Sequence, residues 1–263
     1  MLHMRKSKVL KKIREGKTAF SFKMNLSDPR VAELVAMSGI DCIWIDMEHT
    51  PTDITQVENI VRAAKIYDCD VLCRVQTKGC YSDYICPLEA DSTGIMIPHL
   101  MSLDEAKKIV YYTKFAPVGR RPIDGGNADG SYCLVDSADY IKEANEERFN
   151  VVQIEDPEPL AELDEICALP GIDMIFFGPA DFSQGIGKTY QIFDEEVVAA
   201  RRLVAKTAKK YGKMAGTVGS LANARELIDE GFDFINIGAD VIGLGNYFGG
   251  IMKECNEKFA DRR

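Results

Sequence analysis

Residues 41–75 read DCIWIDMEHTPTDITQVENIVRAAKIYDCDVLCRV. A short apolar run, CIWID (42–46), gives way to three ionisable side chains, Asp46, Glu48 and His49, within four residues. DITQVENIVRAAKIYD (53–68) follows as a helical stretch, and DVLCRV (70–75) is a second apolar run. Strands that are continuously apolar rather than alternating belong to parallel sheets covered on both faces. This stretch therefore predicts a strand, a crossover helix and a parallel strand.

The same unit repeats in both directions. TAFSFKM (18–24) precedes DPRVAELVAMSG (28–39), and TGIMIP (93–98) precedes SLDEAKKIVYYTKF (102–115). SDYICPLEA (82–90) completes the unit after DVLCRV, with Pro87 disturbing its helical reading. A helix near 135–148 leads into NVVQIE (150–155) and PLAELDEICAL (159–169). DMIFFGP (173–179), KMAGTV (213–218) and FDFINIG (232–238) supply three more strands, with helical segments at 193–212, 220–231 and about 240–260. Eight such units in 263 residues fit one (β/α)8 TIM barrel in the α/β class. An open doubly wound sheet is the alternative, but no GxGxxG opens the first unit. The expectation is a single domain over 1–263, with an N-terminal surface helix and a C-terminal helical region broken by glycines.

The totals narrow the function. A net charge of −9 argues against nucleic acid as the main partner. No apolar stretch is long enough to span a bilayer, and the basic N-terminus lacks a signal-type apolar core, which together suggest a cytoplasmic protein. The eight cysteines form no CxxC pair, so a structural zinc site is not expected; they read as reduced thiols.

Catalytic groups of such barrels lie at the C-terminal ends of strands. Read in order, those ends give Lys23, then Asp46, Glu48 and His49, then Arg74, His99, Gln153 with Glu155, and Asp181. The last two strands end in small residues, GTVGS (216–220) and IGAD (237–240). Glu155 and Asp181, on neighbouring strands, can ligate one hard divalent cation and leave positions open, or merely solvate loops. Arg74 suits a carboxylate or a developing enolate oxygen, or a plain salt bridge. His49 can shuttle a proton, or hold a loop. GPAD (178–181) reads as a turn with exposed backbone N–H groups.

Four ordered blocks, IDMEHTP (45–51), GIMIPHLMSLDEAKKIV (94–110), VVQIEDPEPLAELDEICALPGID (151–173) and FFGPADFS (176–183), resemble the HpcH/HpaI family of divalent-metal pyruvate aldolases. The resemblance covers about residues 16–245. It implies reversible cleavage of a 4-hydroxy-2-oxo acid to pyruvate and an aldehyde. It further implies Glu155 and Asp181 as ligands of Mg²⁺, Mn²⁺ or Co²⁺, His49 as proton acceptor and Arg74 as enolate stabiliser. Gln153, Ala180 and Asp181 would contact the substrate, and the protein would be a homo-oligomer, a hexamer. The 2-oxo acid and aldehyde would be its only partners, with no nucleic acid or membrane.

The chain departs from the family pattern at three places. Glu89 stands where an Asp usually raises the basicity of the histidine, so Glu89 or Asp46 is expected to orient His49. Lys23 replaces a more usual apolar or aromatic residue, which opens a Schiff-base mechanism as a rival. The loop APVGRRPIDGGNADGSY (116–132) carries extra Arg and Asp residues and is expected to select an anionic acceptor through Arg120 and Arg121. A barrel lyase acting on an acyl-CoA thioester, and a barrel that binds an oxo acid without turnover, are the remaining alternatives.

Overall fold

The computed structural model describes residues 2–76 and 78–262. Its strands are β1 (Ala19–Met24), β2 (Cys42–Asp46), β3 (Asp70–Arg74), β4 (Gly94–Ile97), β5 (Phe149–Ile154), β6 (Met174–Phe177), β7 (Met214–Val218) and β8 (Phe234–Ala239). All pair in parallel with their sequence neighbours, and β8 returns to β1, closing the barrel. Every strand foreseen from the apolar runs is present.

The helices are α1 (Lys8–Arg14), α2 (Pro29–Met37), α3 (Ile54–Lys65), α4 (Tyr81–Glu89), α5 (Leu103–Thr113), α6 (Ser137–Glu147), α7 (Leu163–Ala168), α8 (Pro179–Gly185), α9 (Glu195–Lys210), α10 (Ala224–Asp229) and α11 (Asp240–Lys258). Local chemistry sets their starts. Asp53 and Gln56 form a reciprocal capping box at α3, which satisfies two otherwise orphaned N–H groups. α4 continues through Pro87.

The side chains of each strand divide between two cores, as a period of two requires. Trp44, Leu72, Met96, Val151, Phe176 and Phe234 fill the barrel interior. Ile43, Ile45, Val71 and Cys73 point outward against Val57, Ile60 and Val61 of α3. The interior is packed, so chemistry is confined to the barrel ends.

Three local expectations change. α1 is no mere surface helix: Val9 is fully buried in the interior cluster, and Asp70 accepts hydrogen bonds from Ser7 Oγ at 2.6 Å and the Val9 amide at 2.9 Å. It plugs the N-terminal end of the barrel. GPAD is not a free turn but the first turn of α8, with Pro179 at a position where its missing N–H costs nothing. The C-terminal region is not broken by its glycines; α11 is continuous over 19 residues, and none of its residues is buried. All eight cysteines are free thiols; Cys42, Cys69, Cys73 and Cys167 are buried, whereas Cys80 and Cys133 are exposed.

Candidate active site

Parallel strands deliver their last inward-facing residues to one rim. Asp46 ends β2 and Arg74 ends β3, and the two strands pair in register there. Arg74 Nε donates to Asp46 Oδ1 at 2.9 Å and Nη2 to Oδ2 at 2.7 Å, a two-pronged ion pair. Lys23 Nζ reaches the same Oδ2 at 2.7 Å. Burial pushes the Asp46 carboxyl up, but Arg74 and then Lys23 outweigh it and hold it well below the usual carboxylate range.

The remaining Arg74 nitrogen turns toward the other side of the mouth. Nη1 lies 3.0 Å from Glu48 Oε2 and 3.5 Å from Gln153 Oε1. Gln153 Nε2 in turn donates to Glu155 Oε2 at 2.9 Å. A continuous polar chain thus runs from Arg74 through Gln153 to Glu155. Glu48 Oε2 is buried and, although ion-paired with Arg74, accepts no aligned hydrogen bond among the described residues.

Glu155, like Asp46, is a buried carboxylate. The His99 amide donates to its Oε1 at 2.8 Å. Its other oxygen fits only because residue 178 is glycine: a Cβ there would stand 2.6 Å from Oε2. Burial pushes the Glu155 carboxyl up to about 7; the His99 amide and the His99 and Arg74 charges pull it down, and the Asp181 charge pushes it further up. A buried carboxylate with a second carboxylate close enough to raise its pKa has the chemistry to suit a hard divalent cation. Among the described residues no three His, Cys, Asp or Glu side chains converge as a closed metal cage.

His99 has no assigned role in the sequence reading, yet it stands in this cluster. Its Nδ1 pairs with Asp156 Oδ2 at 2.8 Å, and its Nε2 lies 3.8 Å from Glu48 and 3.9 Å from Glu155. Burial alone would lower its pKa; the Asp156 hydrogen bond and the charges of Glu155, Asp156 and Glu48 overcome this and raise it. Asp156 carried no strand-end signal, because it lies one residue past the reach of the inward–outward alternation. Glu48 was visible only as one of three charges.

The placement of His49 differs from expectation. Its ring is 57 % exposed and Nε2 sits 3.4 Å from Glu48 Oε2, so Glu48 and not Asp46 meets the imidazole. Asp46 instead accepts from the backbone amides of Glu48 (3.1 Å) and His49 (3.4 Å), shaping the loop. Glu89 is farther away still. It ends α4, which runs back to the start of β4, and its carbonyl accepts from the Asp129 amide at the N-terminal end of the barrel. A five-residue strand separates the two ends by roughly 15 Å. Within one chain Glu89 does not reach His49.

The loop 116–132 is likewise at the N-terminal end, because α5 carries the chain away from the mouth before the loop begins. Arg121 is buried, bonded to Asp129 and Tyr140 and stacked on Phe115. Arg120 is exposed at that same end. Within one chain the expected cationic selector at the mouth is therefore not in this loop. Lys23 is at the mouth, where its ammonium pairs with Asp46 Oδ2.

This arrangement, two cations and a set of carboxylates on one rim of a (β/α)8 barrel, defines a class, and residues 21–246 match the model of the HpcH/HpaI aldolase/citrate lyase family. The chain belongs to that family, and is an enzyme, a carbon–carbon lyase that cleaves oxo acids by the aldol route. It is 31 % identical over 240 residues to the hydroxypyruvate/pyruvate aldolase of Paraburkholderia phytofirmans, covering 89 % of this chain and 91 % of that one. It is 26 % identical over 239 residues to the 5-keto-4-deoxy-D-glucarate aldolase of Klebsiella pneumoniae, covering 90 % and 88 %. The crystal structure of an HpcH/HpaI aldolase from Desulfitobacterium hafniense superposes with a TM-score of 0.89 at 26 % identity, over 94 % of this chain and 96 % of that one. Among the described residues no helix is long and apolar enough to cross a membrane.

Proposed function

We infer that the chain cleaves a 4-hydroxy-2-oxo acid reversibly to pyruvate, or a close hydroxylated analogue, and an aldehyde. The polar chain Arg74–Gln153–Glu155 carries this reading, since it puts a fixed cation beside a confined anionic pocket. Glu155 and Asp181 are the residues that would hold a divalent cation, Mg²⁺, Mn²⁺ or Co²⁺. The chemistry supplied by such an ion is Lewis acidity toward the 2-oxo acid.

The chain's own groups do the rest. His49 accepts the proton of the 4-hydroxyl as the C3–C4 bond breaks, and C4 leaves as the aldehyde carbon. The electron pair left on C3 delocalises onto the keto oxygen, where the Arg74 guanidinium offers fixed positive charge. Asp46 holds that guanidinium in place with two hydrogen bonds. Gln153 and the backbone of Ala180 and Asp181 orient the carboxylate end. Reprotonation at C3 completes pyruvate.

The working unit is a homo-oligomer, with a hexamer as the state the family resemblance suggests. α11 exposes Val241, Ile242, Leu244, Tyr247, Phe248, Ile251 and Met252, while Phe20 and Phe22 of β1 and Ile237 of β8 are only half covered on the outer wall. A long helix with so much apolar surface gains from docking on a second copy. A role for Glu89 beside His49 likewise requires a Glu89 from another copy.

The test is proton exchange at pyruvate C3 and aldol turnover, with and without EDTA. Chelation should abolish both and added Mg²⁺, Mn²⁺ or Co²⁺ restore them. Full activity in EDTA, with inactivation by borohydride plus pyruvate, would return the mechanism to Lys23. Binding of pyruvate with no exchange would make the barrel a receptor for oxo acids. Sedimentation as a monomer at micromolar concentration would remove the oligomer.

A further inference from the structure

Lys78 stands outside the mechanism above, yet it holds the backbone that holds Glu155. It lies in the loop between β3 and α4. Its ammonium donates to the carbonyl oxygen of His99 and pairs with Glu105 Oε1 at 3.3 Å. Glu105 in turn accepts from the Met101 amide at 2.8 Å. Lys78 thus ties the β3–α4 loop to the turn that follows β4.

That turn is bent in an uncommon sense. His99 has a φ of +47°, left-handed backbone that crowds a residue with a Cβ. Pro98 has no N–H, so the His99 amide is the first donor past the end of β4, and it meets Glu155 Oε1 at 2.8 Å. The next peptide plane is held at both ends. Its carbonyl, that of His99, takes the Lys78 ammonium; its amide, that of Leu100, donates to the Gln153 carbonyl at 3.2 Å. With this plane fixed, the left-handed φ turns the His99 amide onto the carboxylate. Relaxation of His99 to a negative φ rotates the two planes apart, so that one of them loses its partner.

The amide matters because of what else holds the carboxylate. Gln153 Nε2 donates to Glu155 Oε2 at 2.9 Å, so Glu155 has a fixed donor on each oxygen and the plane of its carboxylate is set. Each oxygen keeps a second lone pair for a cation. Without the amide, only the Gln153 bond would remain, and the carboxylate could turn about it.

We propose that Lys78 is a positioning residue for the cation site: acting through the His99 backbone, it keeps Glu155 in the orientation that binds a divalent metal. The inference rests on the reading of Glu155 and Asp181 as metal ligands. Charge alone argues the other way. Lys78 is itself a cation, so replacing it with a neutral side chain favours a second cation nearby. A loss of metal affinity on neutralising Lys78 is therefore a signature of positioning and not of charge.

The experiment titrates metal-free protein with Mn²⁺ and measures free Mn²⁺ by electron paramagnetic resonance, with no substrate and no turnover. Lys78→Met should bind Mn²⁺ about 10- to 100-fold more weakly than the wild type, the usual effect of losing a group that orients a ligand. Its thermal unfolding in EDTA should stay near that of the wild type, because the Lys78 side chain is 33 % exposed. In a His99→Gly background, where the backbone takes a positive φ without strain, adding Lys78→Met should cost clearly less. Unchanged or tighter Mn²⁺ binding in Lys78→Met overturns the proposal. So does an equal loss in the two backgrounds, since Lys78 would then act by a route other than the His99 backbone. A Lys78→Met protein that no longer unfolds cooperatively would make Lys78 a part of the fold, and overturns the proposal too. A wild type that takes up no Mn²⁺ removes the metal reading itself, and this inference with it.

Discussion

The two ends of the barrel both bury charge, and they do so on opposite terms. At the N-terminal end Arg148 Nε bonds Asp129 at 2.6 Å, Nη2 bonds Asp91 at 2.9 Å, and Nη1 donates to the Arg5 carbonyl at 2.9 Å. Arg5 pairs with Asp70 and Asp91, and Arg121 with Asp129. Three arginines and Lys65 meet three aspartates, so Asp91 and Asp129 each have at least two cations. At the mouth, Lys23 and Arg74 face Asp46, Glu48, Glu155, Asp156 and Asp181. Five carboxylates against two permanent cations leave an excess of negative charge that His99 only partly offsets. The N-terminal network is rich in cations and the mouth is rich in carboxylates.

The comparison breaks first on Arg148. Arg148→Met removes the one cation that bridges Asp91 and Asp129, leaving Asp91 to Arg5 and Lys65 and Asp129 to Arg121, and should cost up to about 3–5 kcal/mol in denaturant unfolding. Arg74→Met leaves Asp46 paired with Lys23, so its stability loss should be clearly smaller, while aldol turnover falls ~10²-fold or more. Equal stability losses for the two variants would mean that the ends are built alike.

His49→Ala should fold normally and lose about 10²–10⁴-fold in turnover. Mixing it with Glu89→Gln under conditions of subunit exchange should recover turnover that neither protein has alone. No recovery after verified exchange would confine Glu89 to its own end of the barrel.

The charge deficit also predicts how metal-free protein responds to pH. Glu155, raised to about 7 from an ordinary value of 4.5, keeps in the folded state a proton that the unfolded chain has released. Stability therefore falls as pH rises through that window, by roughly 2–3 kcal/mol. His99, with a raised pKa, acts in the same direction, because its contribution is complete below its unfolded pKa and is lost as pH rises through the folded one. Asp46, depressed, is already fully ionised at pH 5 and adds no slope. Thermal unfolding in EDTA from pH 5 to 8 should show the decline, and Mg²⁺ should counter it most at pH 8. A flat profile would contradict the buried acid pair.

The smallest effect belongs to Ser7, which caps α1 through the Leu10 amide and donates to Asp70. Ser7→Ala should cost ~1 kcal/mol without altering turnover. A larger loss of activity than of stability would tie the plug at one end to the mouth at the other.

The eight strands were legible because a strand buried on both faces must be largely apolar, and CIWI, GIMI and MIFF are. Strand ends then pointed to Asp46, Arg74, Gln153 and Glu155, which the structure brings into one connected group. What failed was information that no single strand holds. Glu89 and the 116–132 loop were expected at the mouth because sequence neighbours of a site look close to it, whereas each helix reverses the chain and exchanges the ends. α8 was hidden in a Gly-Pro step, although Pro at a first helical position was its signal. α11 stayed whole through Gly243, Gly245, Gly249 and Gly250, since propensity is a weak prior for a helix that has a use elsewhere.

Trp44 is the only tryptophan in the chain. Its ring lies under Lys23 and Arg74, and its buried Nε1 has no hydrogen-bond partner among the described residues. The enzyme thus carries an optical probe inside the electric field of its candidate active site. Excited at the red edge of the tyrosine band, that indole should change colour when an anion draws Lys23 away or a cation settles near Glu155. Occupancy of the mouth can then be followed by light alone, in unlabelled protein and without turnover.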